Sequence, residues 1–522
     1  MTRIIKRSVD IVFLFLLTLI VYVMALYLSD TLVPRKFAYI LAAGVVGIGI
    51  FIICRVRPIF MDVGQKIKRR LDPIPAWKLA LFLGLFSAVT KIVLVFLFDN
   101  NADLHEDMSK YRSFAEQYAT QGMITENVEY AFHYPYTTFY GWVLSPLARI
   151  FGADTKVFTT TLSILNSVAM VMLFDMLRPY IGKSLAFFVC FLYCITPYGL
   201  MQTQVLTHEN ALFFFHIAAT WLFMKAFRKK ECWYKQLAFI FGAAFLLSIG
   251  KTINRQGLVF LISLGIYAVA KIFEKGINLK KSVKLLCVFL VMLLCCNAAS
   301  SVETYLQENT VEIEDRTLNE YVLPYGWSLY VGLNYEAAGG WRAEDKAAYY
   351  KYTEFDNRED AIQYQEDLLN ARWQTYKDEP LKIPKHLLNK MENLWSFQMF
   401  PYLYRQGNHI SDFFNNGFGG LVSMACIVIN EGMFMVVFLI LLIAQWKKLR
   451  IKDDEVRLDL HFRMCVVGVT FAMLLIEVSP KHMGPLYICL FASCALMLKY
   501  FFAMQAKNAS TKAELSANNT VQ

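Results

Sequence analysis

The stretch WKLALFLGLFSAVTKIVLVFLFDNNADLHED, at residues 77–107, joins two segments of opposite character. Residues 77–98 are almost entirely apolar, and a helix that crosses a bilayer needs about 20 such residues. Residues 99–107 then carry four carboxylates and one histidine: Asp99, Asp103, His105, Glu106 and Asp107. The sequence therefore predicts a spanning helix that ends at an acidic segment in water.

Apolar stretches of similar length recur along the whole chain. Eleven more have the composition of a span: 9–28, 37–54, 157–177, 184–200, 209–227, 236–250, 256–273, 283–300, 416–446, 462–479 and 484–505. Apolar residues make up 57% of the chain and charged residues only 18%, compared with about a quarter in soluble domains. We therefore predict an all-α polytopic membrane protein with about 12 transmembrane helices, and this composition excludes a water-soluble enzyme.

Lysine and arginine residues cluster in short loops before the first predicted span and after the second, sixth, eighth and tenth. All of these loops lie on one side of the membrane if both termini are cytoplasmic, as the positive-inside rule favours. The formal net charge of +10 therefore follows from topology and does not indicate a nucleic-acid partner. We expect a multi-pass protein of the plasma membrane with both termini in the cytoplasm.

Two apolar segments have more than one interpretation. The run at 9–28 begins like a signal peptide, but it is long enough to span and no clear small-residue cleavage site follows it, so we interpret it as a retained span. Residues 134–151 are also apolar, but counting them as a span would invert every later basic loop. We interpret 134–151 as an amphipathic helix that lies on the outer face of the membrane. The polar segments 99–156 and 301–415 are then both extracytoplasmic.

The acidic segment precedes a short predicted helix. Tyr111, Phe114, Ala115 and Tyr118 recur at helical spacing directly after it, and a carboxylate is stabilised at a helix N-terminus. A solvated helix cap and a functional acidic site are both compatible with this spacing. Residue types alone leave the two alternatives open.

Several short motifs occur in an order that resembles a known family. They are Glu106-Asp107 before a helix, His133-Tyr134-Pro135-Tyr136, Leu206-Thr207-His208-Glu209, Lys251 with Arg255, and Lys481-His482. Their order, spacing and sidedness resemble the membrane glycosyltransferases of the GT-C fold. The closest resemblance is to glycosyltransferase family 39, which includes the protein O-mannosyltransferases and the lipid A aminoarabinose transferase. The acidic motif reads Glu-Asp, where that family usually has Asp-Glu.

The resemblance implies an enzyme that moves a sugar from a polyprenyl-phosphate donor to a glycan, lipid or protein acceptor on the extracytoplasmic face. Asp107 would be the general base, and Glu106 would orient the acceptor or help to bind a metal. Lys251, Arg255 and Lys481 would hold the lipid phosphate, because cationic donors stabilise that leaving group. The remaining substrate contacts implied are Glu209, His208, His133, Tyr134 and His482. Membrane lipid would surround the prenyl chain between spans.

The resemblance also divides the chain into modules. These are two N-terminal transmembrane helices with a basic cytoplasmic loop (1–76), a GT-C-like catalytic membrane module (77–300) with outer loop 99–156, an extracytoplasmic loop module of mixed structure (301–415), C-terminal transmembrane helices (416–505) and a disordered cytoplasmic tail (506–522). We expect the 301–415 module to help select the acceptor.

Metal use is left open by the residues themselves. His105, His133 and His208 could bind a divalent ion together with the Glu106-Asp107 pair, but their spacing matches no established zinc motif. A site rich in carboxylates would suit Mg²⁺ or Mn²⁺. The cofactor therefore stays unknown at this stage, and we assign no metal ligand.

Two other classes of protein share the general pattern. An envelope polysaccharide polymerase or O-antigen ligase also has about a dozen spans and a large outer loop, but it would need no acidic motif early in the chain. A lipid-linked sugar transporter or flippase would place charges near the bilayer midplane. Here the candidate charges lie at the outer ends of spans, which favours the transferase.

Overall fold

The computed structural model describes residues 2–30, 33–97, 107–227, 232–274, 279–312, 326–355, 357–395, 417–450 and 457–502. Within these ranges the regular structure is helical and no β-strand forms; Ile124 and Val311 make an isolated parallel bridge. The predicted all-α class is therefore confirmed.

The helices of the described residues follow one another in this order: α1 Thr2–Asp30, α2 Arg35–Leu71, α3 Ala76–Leu97, α4 Asp107–Thr120, α5 Val128–His133, α6 Pro135–Phe151, α7 Thr155–Ile181, α8 Lys183–Ile195, α9 Pro197–Met201, α10 His208–Ala226, α11 Trp233–Ile253, α12 Gly257–Ile272, α13 Leu279–Thr310, α14 Gly326–Gly332, α15 Ala343–Thr353, α16 Arg358–Asp378, α17 Lys382–Trp395, α18 Gly417–Arg450, α19 Asp459–Leu475 and α20 Gly484–Phe502. Short 3₁₀ turns occupy Gln202–Gln204 and Pro480–Met483.

Every predicted span coincides with a helix, and the polytopic membrane class is confirmed. Among the described residues, eight helices are long and apolar enough to cross a bilayer: α1, α2, α3, α7, α11, α13, α18 and α20. The α8–α9 pair makes a ninth, bent by 70° where Pro197 begins α9. The other predicted spans are less apolar or shorter. Helix α10 begins with His208, Glu209 and Asn210, while α12 and α19 have 16 and 17 residues.

Buried polar side chains join α3, α7 and the segment after α9. Ser167 Oγ donates to Ser87 Oγ at 2.9 Å, and Ser163 lies 2.8 Å from the Thr203 hydroxyl. Gln202 donates to Asn166 Oδ1 at 2.9 Å. Small and amide side chains of this kind join helices in membranes because lipid offers no competing partner. These contacts fix α3, which leads to the acidic segment, against the bundle core.

A buried ion cluster joins α1, α18 and α19. Lys448 Nζ lies 3.0 Å from Asp10 Oδ1 and 3.1 Å from Asp459 Oδ2. Arg463 contacts both carboxylates, at 2.8 Å in the case of Asp459, and its side chain is fully buried. Two cations therefore balance two anions, which is how charges are tolerated away from water.

Helices α4, α5 and α6 form a compact unit beside the bundle. Pro135 begins α6 directly after α5, since proline is well suited to the first helical turn. A Cβ at Gly141 of α6 would lie 2.5 Å from Phe114 Cβ, so glycine allows α6 to pack closely against α4. The predicted helix at 134–151 is present as α6, and its exposed side chains include Trp142, Ile150 and Phe151.

The described part of the 301–415 segment contains the end of α13 and then helices α14 to α17. Their core contains Trp327, Tyr330 and Tyr352, and the Arg372 guanidinium lies 3.7 Å from the centre of the Tyr330 ring. The helical runs predicted at 359–377 and 383–395 are present as α16 and α17. The expectation of mixed structure is wrong for this described part, because its aromatic core is built entirely between helices.

This module contacts the turn that follows α19. Lys390 Nζ donates to the carbonyl oxygens of Gly332 at 3.0 Å and of Ile476 at 2.6 Å. A Cβ at Gly332 would lie 2.5 Å from the Ile476 backbone, so this approach requires glycine. Val478 N donates to Gly339 O at 2.8 Å. The module therefore fixes the chain just before Pro480–Met483.

We expect the variant Arg463→Met to lower the midpoint of thermal unfolding of the purified protein in detergent. Removing one partner of a buried ion cluster leaves an uncompensated charge and costs about 3–5 kcal/mol. The matched control is Lys66→Met, because Lys66 pairs with Asp62 on α2 while both side chains are more than half exposed. Exposed pairs contribute about 0–1 kcal/mol. Equal midpoints for the two variants would contradict this account of the cluster.

Candidate functional site

Asp107 is the first residue of α4, and both of its carboxylate oxygens have partners. Lys481 Nζ lies 2.9 Å from Oδ2, and the Tyr130 hydroxyl donates to Oδ1 at 2.5 Å. The three residues come from α4, α5 and the Pro480–Met483 turn. Segments far apart in sequence thus meet at one half-buried carboxylate.

The local structure explains how each partner is held. The positive end of the α4 dipole favours an anion at Asp107. Pro480 begins the short turn that carries Lys481, and the 301–415 module fixes the residues before it. Tyr130 lies on α5, and its ring is 4.8 Å from that of Tyr134. Asp107 is therefore held from both sides.

The charge state of Asp107 follows from these contacts. Burial tends to raise the pKa of this carboxyl group, but the positive charge of Lys481 and the hydrogen bond from Tyr130 lower it, and the net pKa lies below its ordinary value. Asp107 is therefore ionised at neutral pH. Burial and the neighbouring Asp107 charge raise the pKa of Tyr130, which stays a neutral hydrogen-bond donor.

A second cluster is centred on Glu209 at the start of α10. Its Oε1 lies 3.1 Å from His482 Nδ1 and 3.4 Å from His208 Nε2. The other ring nitrogen of His208 lies 2.7 Å from the Tyr111 hydroxyl. Glu209 is 2% exposed, and its Oε2 has no hydrogen-bond partner among the described residues. A buried carboxylate oxygen without a partner is costly, so a hydrogen bond donated by a ligand would be favourable there.

The two clusters are adjacent because Lys481 and His482 are neighbours in one turn. The structure therefore brings together five of the predicted site residues: Asp107, His208, Glu209, Lys481 and His482. Sequence reasoning assigned no role to Tyr130 or to the Tyr111 hydroxyl. The spacing Asp107-x-x-x-Tyr111 on one helix face could have indicated Tyr111, whereas Tyr130 reaches Asp107 only through the tertiary fold.

The other predicted residues lie against different partners. Tyr134 packs against Tyr130, whereas His133 bonds through Nδ1 to the Tyr349 hydroxyl of α15. Burial lowers the pKa of His133 to about 4, so its ring is neutral. Glu106 lies outside the described residues, as do Asp99, Asp103 and His105.

Lys251 and Arg255 contact α13. Lys251 Nζ donates to Ser300 Oγ at 2.8 Å, and Arg255 makes two hydrogen bonds to Glu303, at 2.8 and 3.2 Å. These partners were not foreseen from the sequence, because both residues were expected at a lipid phosphate. The Arg255 side chain is 53% exposed, so it remains accessible from solvent or headgroups.

Within the described ranges, one group of histidine, cysteine or acidic side chains has the spacing of metal ligands. It consists of His216, His461 and Cys465, fully buried between α10 and α19. His216 Nε2 and His461 Nε2 are 3.0 Å apart, which gives His216 a partner inside the bundle. At the outer site, the positive charge beside Asp107 comes from Lys481. Metal binding by the acidic segment stays untested, since two of its candidate ligands lie outside the described residues.

Comparison with known proteins supports the functional class. Residues 136–300 match the sequence model of the dolichyl-phosphate-mannose-protein mannosyltransferase family. No curated protein matches the chain. The predicted resemblance to GT-C membrane glycosyltransferases is confirmed by the family match, and so is the predicted class of enzyme. This match also favours a transferase over a polymerase or a transporter.

Two solved structures resemble the chain weakly. ArnT from Cupriavidus metallidurans, bound to undecaprenyl phosphate, has 12% identity and a TM-score of 0.39, with 82% of this chain and 79% of that chain covered. The archaeal oligosaccharyltransferase AglB from Archaeoglobus fulgidus, in complex with an inhibitory peptide and a dolichol-phosphate, has 14% identity and a TM-score of 0.42. That alignment covers 83% of this chain and 52% of AglB.

We expect Lys481→Met to raise the pKa of Asp107 by about 1–3 units, because an adjacent cation lowers a carboxyl pKa by that amount. Dicyclohexylcarbodiimide, which modifies protonated carboxyl groups, should then label Asp107 at a higher pH than in the wild-type protein. Peptide mass spectrometry of purified protein, labelled across a pH series, measures this directly.

The matched control for the labelling is Lys481→Arg, which keeps the positive charge. Its labelling curve should stay close to that of the wild-type protein. If the Met variant and the wild-type protein were labelled identically at every pH, the ion pair would not control the charge of Asp107.

Proposed function

We propose that this protein transfers a sugar from a polyprenyl-phosphate donor to an acceptor hydroxyl on the extracytoplasmic face of the plasma membrane. Asp107 is the general base, and Lys481 with His482 binds the donor phosphate. The observation that carries the proposal is the 2.9 Å contact between Asp107 and Lys481. It places a candidate base and a cation that can bind a phosphate in the same site, where a sugar could pass from the lipid phosphate to the acceptor hydroxyl.

The chemical step needs both charges. The acceptor oxygen attacks the anomeric carbon, its proton passes to the Asp107 carboxylate, and the bond from the anomeric carbon to the phosphate oxygen breaks. The electron pair of that bond leaves with the lipid phosphate, and Lys481 stabilises the added negative charge. Asp107 thus assists the loss of the acceptor proton, and Lys481 assists the breaking of the bond to the phosphate oxygen.

Lys481 also links donor binding to the strength of the base. In the free protein its ammonium group is paired with Asp107, which keeps the pKa of that carboxyl low and makes it a weak base. A lipid phosphate would compete for the same ammonium group. Sharing Lys481 with phosphate raises the Asp107 pKa, so Asp107 becomes a stronger base once the donor is bound.

Glu209 acts beside this pair. One of its oxygens holds His482, and the unpartnered Oε2 accepts a hydrogen bond from a hydroxyl of the donor sugar. The sugar hydroxyl thereby supplies the hydrogen-bond donor that this buried oxygen lacks among the described residues. His208 and Tyr111 orient Glu209 from the other side.

The remaining predicted residues keep supporting roles in this proposal. His133 and Tyr134 hold α5 and the Tyr130 hydroxyl in place. Lys251 and Arg255 would contact a lipid phosphate only by exchanging Ser300 and Glu303 for it. Glu106 stays assigned to acceptor orientation or metal binding. The module boundaries and the cytoplasmic location of both termini also belong to the proposal.

We expect Asp107→Asn to reduce sugar transfer at least about 100-fold, because general-base catalysis contributes about 10²–10⁴-fold. Mass spectrometry of cell-envelope glycoconjugates, from cells that carry only the variant gene, would measure the product. Consumption of polyprenyl-phosphate sugars by purified protein in nanodiscs gives the corresponding rate.

The matched control is Glu116→Gln, which removes an exposed carboxylate from the same helix, α4. This variant should transfer sugar at close to the wild-type rate. Full activity of the Asp107→Asn protein, at equal abundance in the membrane, would overturn the assignment of the base.

A further inference from the structure

A polar cavity of about 560 Å³ opens beside the Asp107 site. Its wall includes Lys110 of α4, Asn127 and Glu129 near α5, and Glu312 just after α13. Tyr349 and Tyr350 of α15 complete the lining on the side of the 301–415 module. Its volume falls within the range of about 300–1,000 Å³ that is typical of small-molecule sites.

The cavity wall is held by hydrogen bonds between distant segments. Ile124 N donates to Thr310 O at 2.7 Å, and Glu312 N donates to Ile124 O at 2.9 Å. Gln117 Oε1 accepts from the backbone N–H groups of Thr125 and Glu126, at 2.7 and 2.9 Å. The loop between α4 and α5 is therefore fixed before any ligand arrives, which lowers the entropic cost of binding.

Tyr130 connects this cavity to the reacting centre. Its side chain lines the cavity, and its hydroxyl donates to Asp107 Oδ1 at 2.5 Å. The other oxygen of Asp107 faces Lys481. Asp107 Oδ1 therefore faces Tyr130 in the cavity wall, and Oδ2 faces Lys481, which binds the donor phosphate in the proposed function. A hydroxyl that enters from the cavity can replace the Tyr130 hydroxyl on Oδ1.

The lining chemistry narrows the class of ligand. Lys110, which bonds to Asn127, offers hydrogen-bond donors, while Glu129 and Glu312 offer acceptors. The cavity can therefore both donate hydrogen bonds to the hydroxyl groups of a ligand and accept hydrogen bonds from them. Tyr350 is 62% exposed, and its ring lies 5.7 Å from that of Tyr349. Aromatic rings beside convergent polar groups suit a sugar, which has apolar C–H faces and polar edges.

Other acceptor classes fit this lining less well. Two glutamates face one lysine, so the excess negative charge disfavours a phosphorylated ligand at this distance. An acyl chain would need an apolar wall, whereas most of the lining side chains carry a polar group. The lining therefore favours an uncharged carbohydrate over a phosphorylated ligand or an acyl chain.

We propose that this cavity is the acceptor site and that the acceptor is an uncharged carbohydrate, whose hydroxyl reaches Asp107 by displacing the Tyr130 hydroxyl. The inference rests on the proposed function for its chemical step. Binding of a carbohydrate in the cavity can nevertheless be measured without sugar transfer. The cavity proposal and the proposed function can therefore be disproved independently.

The test uses native mass spectrometry of the full-length protein in detergent. Three fractions of cell-envelope material from the source organism serve as probes: neutral oligosaccharides, phosphorylated oligosaccharides and glycan-free peptides. The wild-type protein should retain neutral oligosaccharides in preference to the other two. Tyr350→Ala and Glu312→Gln should each lower the bound fraction, with an apparent affinity loss of about tenfold.

The matched controls are Tyr305→Ala and Glu308→Gln, because both residues are exposed on α13 and neither lines the cavity. Both controls should bind neutral oligosaccharides as the wild-type protein does. Asp107→Asn should keep this binding and lose transfer.

The outcomes separate the two ideas. The cavity proposal would be overturned if the protein preferred peptides or phosphorylated oligosaccharides. It would also be overturned if the cavity variants bound neutral oligosaccharides as well as their controls do. Neither result would contradict the proposed transferase function. Cavity-dependent binding of neutral oligosaccharides supports the cavity proposal. If that binding were found but no sugar were transferred from any polyprenyl-phosphate donor, the proposed function would fail while the binding site remained.

Discussion

The ion pair between Asp107 and Lys481 is the contact on which the candidate site depends. It joins residues 374 positions apart, from the start of α4 and from the turn before α20. This partly buried carboxylate and ammonium group are stable because each neutralises the other and Tyr130 donates to the second carboxylate oxygen. In our account a donor phosphate enters by competing for the cation, so the same contact stabilises the free protein and prepares the base.

The charged residues form two separate sets: the buried cluster that joins α1, α18 and α19, and the set around Asp107 and Glu209, which the proposed topology places on the outer side. Asp10, Lys448, Asp459 and Arg463 form a closed set in which every charge has a partner, and their role is to hold α1 against α18 and α19. The outer set is incomplete, because Glu209 keeps one buried oxygen without a partner among the described residues. A set in which every charge has a partner stabilises the packing of helices, whereas a set with an unpartnered carboxylate oxygen can still bind a ligand. The 301–415 module supports the outer set through Lys390, which fixes the chain before Lys481.

The sequence predicts the membrane class and the positions of the spans because apolar runs are local. It predicts a span from residue 209, although α10 begins with the polar residues His208, Glu209 and Asn210, the first two of which lie in the candidate site. Asp107 and Lys481 could be proposed from the resemblance to GT-C glycosyltransferases, and Glu209 also because a carboxylate near hydrocarbon is costly without a role. Tyr130 and the Glu303 partner of Arg255 could not, since their contacts depend on how α5 and α13 pack in three dimensions.

The most direct test is the affinity of polyprenyl phosphate for three purified proteins in nanodiscs: wild type, Asp107→Asn and Lys481→Met. If Lys481 is shared between the base and the lipid phosphate, removing the Asp107 charge removes one competitor for the cation. The Asn variant should then bind the lipid about tenfold more tightly, a gain of about 1.4 kcal/mol, and the Met variant should bind it more weakly. Weaker binding by Asp107→Asn, or unchanged binding by Lys481→Met, would contradict the account.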